Sequence, residues 1–130
     1  MKAIILAAGQ GIRLGNGLSE LPKCLLKIGN NTIIGNHTTV CSGTKIGGNS
    51  KIFHNCSIGE IPQDLKFAGE DSKTVIGRNT IIRENVTINR GTSAGGKTEV
   101  GNNVLLMAAV HVAHDCIIHD NVIMANMSTL

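Results

Sequence analysis

The sequence has almost no aromatic residues: none of its 130 residues is Trp or Tyr, and only two are Phe. With a net charge of only +3 and no aromatic residues among basic ones, it lacks the pattern of a nucleic-acid-binding surface. No apolar run approaches the ~18 residues of a transmembrane helix, so we expect no membrane span. The cysteines at positions 24, 41, 56 and 116 form no CxxC pair. We therefore expect a cytoplasmic protein with reduced thiols and no cofactor.

The main feature that is present is an apolar residue at every sixth position. Steps of six from Ile28 to Leu130 give eighteen positions, and fifteen of them carry Ile, Val, Leu or Met. The exceptions, Asp64, Glu70 and Ala94, fall in two interruptions of the pattern. A fixed period indicates an internal repeat whose apolar positions face the interior. These positions are Ile28, Ile34, Val40, Ile46, Ile52, Ile58, Ile76, Ile82, Ile88, Val100, Leu106, Val112, Ile118, Met124 and Leu130.

A small residue follows each apolar one after four positions, and Asn often precedes that small residue. This small track includes Cys56 and Cys116, which we expect to be core thiols. Asn tolerates the left-handed backbone region that a tight corner requires. A period of six fits neither an amphipathic helix nor a coiled coil, whereas short strands joined by turns satisfy it. The sequence therefore predicts an all-β parallel β-helix of at least four triangular coils over residues 28–130.

Residues 1–27 do not keep the six-residue period. An apolar run leads into a glycine-rich stretch (GQGIRLG), which is typical of a buried strand followed by a turn. Over residues 1–28, LAAGQGIRLG…LPKCLLKIG resembles the N-terminal signature of sugar-nucleotide nucleotidyltransferases. Because no further strand-helix unit follows, we expect a separate, non-catalytic fragment. The resemblance implies vestigial nucleotide-binding positions at Gly9, Gly11, Arg13 and Lys23.

Two polar segments interrupt the repeat, at residues 60–73 (EIPQDLKFAGEDSK) and 90–97 (RGTSAGGK). Such departures are where a solenoid gathers functional groups against a rigid face. A further stretch, VHVAHDC, places His114 and Asp115 at a corner, exposed along an edge of the prism. Imidazole titrates near pH 7, and a carboxylate beside it orients the ring and stabilises its cation. This pair therefore fits a general base that acts on a hydroxyl group.

From about residue 34 to residue 130, the stretches SIGEIPQDLKFAGE, IRENVTINRGT, KTEVGNNVLLM and HVAHDC resemble the acyl-carrier-protein–UDP-N-acetylglucosamine O-acyltransferases, which open lipid A synthesis. Several of these stretches lie outside the regular repeat. The resemblance implies a left-handed β-helix and transfer of an acyl group from acyl-carrier protein to the 3-hydroxyl of UDP-N-acetylglucosamine. It also implies a homotrimer in which two subunits share each active site.

The resemblance further assigns roles to individual residues. His114 corresponds to the general base, and Asp115 corresponds to the residue that holds it. Asn89 stands where better-known members carry histidine, so it keeps a polar contact without the charge. The positions that correspond to substrate contacts are Gln63, Asp64, Lys66, Asn89 and His111.

Two other functions stay open. The sequence stops before the last coils and C-terminal helices that the resemblance implies, so we expect little acyl transfer from this chain alone. The first alternative is a non-catalytic trimeric scaffold or an inactive fusion fragment.

The second alternative is a zinc-dependent carbonic anhydrase of the hexapeptide-repeat class. Such an enzyme binds zinc through histidines, and the pair His114 and His119 superficially fits. His119 has no evident third partner, however, and the QDLK stretch would then have no role.

Overall fold

The computed structural model describes residues 27–130, so the predictions for Gly9, Gly11, Arg13 and Lys23 lie outside the described residues. The described chain consists of short strands without a helix, and hence without a helix that could span a membrane. The strands are β1 (Lys27–Ile28), β2 (Ile33–Ile34), β3 (Thr39–Val40), β4 (Thr44–Ile46), β5 (Lys51–Ile52), β6 (Ser57–Glu60), β7 (Lys73–Ile76), β8 (Ile81–Ile82), β9 (Thr87–Asn89), β10 (Lys97–Val100), β11 (Leu105–Leu106), β12 (His111–Val112), β13 (Ile117–Ile118) and β14 (Ile123–Met124).

Successive strands pass from one sheet to the next around a triangular prism. The first sheet contains β1, β4, β7, β10 and β13, the second contains β2, β5, β8, β11 and β14, and the third contains β3, β6, β9 and β12. All pairings are parallel, and a bridge between His111 and Thr129 extends the third sheet beyond β12. Three strands make one coil, so the described residues form four coils and most of a fifth. The predicted parallel β-helix is confirmed.

The lengths of the two interruptions preserve the register of the prism. Where the coil is regular, paired residues lie 18 positions apart, as Glu99 and Ile117 do. Across the first interruption Lys45 pairs with Val75, 30 positions on, and across the second Val75 pairs with Glu99, 24 positions on. The interruptions thus add twelve and six residues, both multiples of the repeat. For this reason the six-residue pattern continues in phase through both of them.

The predicted apolar track lines the interior in the middle coils. Ile46, Ile82 and Val112 are each at most 3% exposed, and burying such a side chain contributes roughly 1.5–3 kcal/mol. Burial is partial in the outer coils, at Ile28, Ile34, Val40 and Met124. The prediction is wrong for Leu130, which is 54% exposed. The reason is that the outermost coils of the described chain have a neighbouring coil on one side only.

The small track also faces inward, and the corners have the predicted backbone. Cys56 is 2% exposed, but Cys116 is only half-buried because it precedes β13, the outermost strand of its sheet. The predicted core thiol is confirmed at Cys56, whereas Cys116 is only partly buried and packs against the core from its end. The corner asparagines have φ values between 56° and 63°: Asn31, Asn49, Asn55, Asn79, Asn85, Asn103 and Asn121.

Candidate active site

The two interruptions and the His114–Asp115 corner lie along one edge of the prism. Residues 61–72 join β6 to β7, residues 90–96 join β9 to β10, and residues 113–116 join β12 to β13. Each of these segments leads from the third sheet to the first. Since consecutive coils stack corner on corner, the three segments are neighbours. We call residues 61–72, 90–96 and 113–116 together the insertion edge.

Hydrogen bonds join the first insertion to the second. The Arg90 amide donates to the Glu60 carbonyl at 2.9 Å, and its Nε donates to the Gly59 carbonyl at 3.0 Å. At the outer end, the Ser93 amide donates to Glu70 Oε1 at 3.0 Å. The two insertions are therefore fixed to each other at their base and at their exposed part.

The second insertion in turn wraps the carboxylate of Asp115. The Thr92 amide donates to Asp115 Oδ1 at 2.8 Å, and the Thr92 hydroxyl donates to Oδ2 at 2.5 Å. A Cβ at Gly95 would lie 2.6 Å from Asp115 Oδ1, so only glycine allows the insertion to approach this closely. Packing of this kind leaves Asp115 half-buried rather than exposed as the sequence predicted.

The Asp115 carboxylate also contacts the neighbouring imidazole. His114 Nδ1 lies 3.0 Å from Asp115 Oδ2, and 34% of the His114 side chain is exposed. Partial burial acts to raise the pKa of Asp115, but the hydrogen bonds from Thr92 and His114 outweigh it and lower that pKa below its ordinary value. Asp115 is therefore ionised at neutral pH.

The ionised carboxylate determines the tautomer of His114. An aspartate without a proton can only accept hydrogen bonds, so Nδ1 of His114 carries the hydrogen and donates to Asp115. In the neutral ring, the lone pair is then on Nε2. Such a ring can take a proton at Nε2 while the carboxylate stabilises the resulting cation, as a general base requires.

The predicted substrate contacts Gln63, Asp64 and Lys66 lie on the first insertion. Gln63 and Lys66 are exposed, and Asp64 is half-buried. Asp64 Oδ1 accepts the Lys66 amide at 2.9 Å, and the Asp64 carbonyl accepts the Phe67 amide at 3.0 Å. Asp64 thus closes a local turn that presents the Lys66 side chain to solvent. The roles of all three residues in substrate binding stay predictions.

The other two predicted contacts lie on strands of the third sheet. Asn89 ends β9 and is 6% exposed. Its side-chain Nδ2 donates a hydrogen bond to the Ile61 carbonyl at 2.8 Å, so it anchors the first residue of the insertion. His111 begins β12, and its Nδ1 lies 2.7 Å from the Thr87 hydroxyl. Its place three residues before His114 puts it on the strand that leads to the corner. Their contacts with substrate stay predictions.

Two residues of the site were missed by sequence reasoning. Thr92 belongs to the small inward track and was expected only to fill the core, and Glu70 was expected only to leave the prism. A signal was present in the lengths of the insertions, since multiples of six place all three polar segments at the same corner.

Within the described chain, no three His, Cys, Asp or Glu side chains are grouped as metal ligands.

The repeat matches a known family model. Residues 97–130 match the model described as bacterial transferase hexapeptide (six repeats). Solved structures with the same architecture extend the match to most of the chain, and the fold is that of a left-handed parallel β-helix, as the resemblance implied. This defines the class of protein by its fold.

The more specific similarity is to one enzyme. Over 86 residues the chain is 56% identical to the acyl-[acyl-carrier-protein]–UDP-N-acetylglucosamine O-acyltransferase of Aliarcobacter butzleri (strain RM4018). The aligned stretch covers 65% of this chain and 33% of the relative. The crystal structure of LpxA, a UDP-N-acetylglucosamine acyltransferase from Bacteroides fragilis 9343, has a TM-score of 0.76 and 44% identity, covering 85% of this chain and 49% of that one. LpxA from Acinetobacter baumannii has a TM-score of 0.66 and 39% identity, covering 80% and 45%.

The chain spans about a third of the length of the curated relative and about half the length of the solved ones. The nucleotidyltransferase resemblance of residues 1–28 falls almost wholly outside the described residues and stays a prediction.

Proposed function

We propose that the insertion edge is an acyl-transfer site, and that the chain transfers an acyl group from acyl-carrier protein to the 3-hydroxyl of UDP-N-acetylglucosamine. The observation that carries this proposal is the His114–Asp115 pair, whose carboxylate is ionised and whose ring has its Nε2 lone pair available. Similarity to the named acyltransferases supports the choice of substrates.

The reaction needs one base and no redox step. His114 Nε2 accepts the proton of the sugar hydroxyl while the hydroxyl oxygen attacks the carbonyl carbon of the acyl thioester. An ester C–O bond forms and the C–S bond breaks, and the carrier thiolate recovers the proton from the imidazolium. Asp115 stays ionised throughout and stabilises the transient positive charge of the ring.

The substrates lie against side chains around the base. The residues that contact the sugar nucleotide or the acyl chain are Gln63, Asp64, Lys66, Asn89 and His111. The reaction takes place in the cytoplasm, where a soluble acyl carrier is available. The protein is a homotrimer, and two subunits share each active site.

One outer face of the prism supports the homotrimer. Along the second sheet, Ile33, Lys51, Ile81, Leu105 and Ile123 occupy consecutive outward positions, so four of five are aliphatic. Ile33 is 60% exposed and Ile123 is 66% exposed. An apolar row of this length on a soluble surface is typical of a protein interface. We infer that this row is the subunit contact.

The mass of the protein in solution tests the assembly. We expect sedimentation to give three chains per particle, and the double variant Ile81→Lys, Ile123→Lys to give single chains. Ile117→Lys changes an exposed isoleucine on the first sheet and is the matched control. A monomeric parent, or dissociation caused by Ile117→Lys alone, contradicts this assignment.

Incubation of the chain with acylated carrier protein and UDP-N-acetylglucosamine tests the activity. Mass spectrometry of the sugar nucleotide reports the product, and we expect one acyl group attached as an ester that mild alkali removes. Turnover is expected to be slow, since the chain spans about half the length of the solved relatives, so the readout is product formed above that of His114→Ala. If the parent forms no more acylated sugar nucleotide than His114→Ala does, the acyltransferase proposal fails and the non-catalytic scaffold takes its place.

A further inference from the structure

We propose that Thr92 is a positioning residue for the Asp115–His114 pair: it clamps both carboxylate oxygens of Asp115 so that Oδ2 faces His114 Nδ1. This inference rests on the proposed function, because the pair is the proposed base. Thr92 itself does not touch the reacting atoms and acts only through Asp115.

The hydrogen bonds of Thr92 leave its hydroxyl a single orientation. Thr92 is 6% exposed, and its Oγ1 accepts the Ala94 amide at 3.2 Å. Its one hydroxyl proton is donated to Asp115 Oδ2, while its backbone amide donates to Oδ1. A carboxylate that is held at both oxygens by one residue cannot rotate about its Cβ–Cγ bond without losing a charge-assisted hydrogen bond.

A second threonine holds the backbone of Asp115. The Asp115 amide donates to Thr98 Oγ1 at 2.9 Å, and Asp115 has a φ of 61°. The left-handed region costs energy for a residue other than glycine, so it persists because its surroundings fix it. Thr98 therefore fixes the backbone position of Asp115, and Thr92 fixes the orientation of its carboxylate.

The clamp bears directly on the base. Asp115 Oδ2 receives two donors, the Thr92 hydroxyl and His114 Nδ1. If Thr92 Oγ1 were absent, the Thr92 amide would still hold Oδ1, but Oδ2 would lose one of its two donors and the carboxylate would be fixed at one oxygen only, so its alignment with Nδ1 of His114 would loosen. A misplaced catalytic group of this kind typically costs roughly ten- to a hundredfold in rate.

The variant Thr92→Val tests the clamp, since it keeps the β-branched shape and removes the hydroxyl donor. Thr92→Ser restores that donor. Thr80→Val is the matched control, because Thr80 occupies the equivalent position of the small track, is fully buried, and donates its hydroxyl to the Gly101 carbonyl instead. The protein contains four aspartates, so ¹³C NMR of Asp-labelled protein follows the Asp115 carboxyl through a pH titration, assigned with Asp115→Asn.

We expect Thr92→Val to raise the measured pKa of Asp115 towards its ordinary value and to lower kcat roughly ten- to a hundredfold with little change in KM. Thr92→Ser is expected to restore both, and Thr80→Val to change neither even where it lowers Tm. A folded Thr92→Val protein with the parental Asp115 titration overturns the proposal, as does an equal shift in Thr80→Val. If the parent shows no acyl transfer, the proposed function fails, whereas the titration still tests the clamp.

Discussion

Glu70 and Ser93 join the two insertions at their exposed ends: Glu70 Oε1 accepts the Ser93 amide at 3.0 Å, and Oε2 accepts the Ala68 amide at 2.9 Å. The backbone amides of Glu70 itself, Ala68 and Ser93 lower the pKa of this carboxyl below its ordinary value. One side chain thus ties the turn that carries Lys66 to the segment that wraps Asp115.

Replacement of Glu70 is expected to loosen the first insertion without harming the prism. In Glu70→Ala we expect faster hydrogen exchange at the Ser93 amide, a several-fold rise in KM for the sugar nucleotide, and a Tm within a few degrees of the parent, because exposed hydrogen bonds contribute little to global stability. Asp71→Ala is the control, since Asp71 is the neighbouring acidic residue and, within the described chain, its side chain accepts no hydrogen bond. Identical exchange rates at Ser93 in the parent and in Glu70→Ala would refute the link.

The lowered pKa of Asp115 predicts a loss of stability in acid. A group whose pKa is lower in the folded state stabilises the protein above its unfolded pKa, about 3.9 for Asp, and this contribution is lost as pH falls through the folded value. We expect Asp115→Asn to be less stable than the parent by about 1–3 kcal/mol at pH 7. The difference should shrink below about pH 4, which urea unfolding at several pH values measures. A difference that does not change with pH contradicts the ionised clamp.

Two adjacent isoleucines on β13 test which face of the strand is buried. Ile118 is 3% exposed and Ile117 is 57% exposed. We expect Ile118→Ala to cost about 2–5 kcal/mol of unfolding free energy, because it leaves a cavity in the prism. Ile117→Ala should cost under about 0.5 kcal/mol. Chemical denaturation of both variants measures the contrast, and equal losses would rule out this register.

The six-residue period was enough to predict the coils, because each coil repeats the same inward positions every 18 residues. Ile46, Ile82 and Val112 are buried as that count requires. The ends of the track were not predictable in the same way, since burial at Leu130 depends on having a neighbour on both sides. A periodic pattern identifies which side chain faces inward and does not reveal how completely it is covered.

The candidate site was predictable only in part. His114 and Asp115 were recognisable because adjacent imidazole and carboxylate side chains at a corner have a clear chemical use. Thr92 was not, because in sequence it has the same place in the repeat as Thr80, whose hydroxyl donates to a backbone carbonyl. The contact of Thr92 with Asp115 joins residues 23 positions apart and exists only once the coils stack.

The most direct test of the account compares acyl transfer by His114→Ala with transfer by His119→Ala. His119 is an exposed histidine five residues further on, beyond the insertion edge, and is the matched control. We predict that His114→Ala lowers the rate 10²- to 10⁴-fold, as the loss of a general base does, or roughly 3–5 kcal/mol, while His119→Ala keeps the parental rate. Parental activity in His114→Ala, or equal losses in the two variants, would contradict the assignment of His114 as the base.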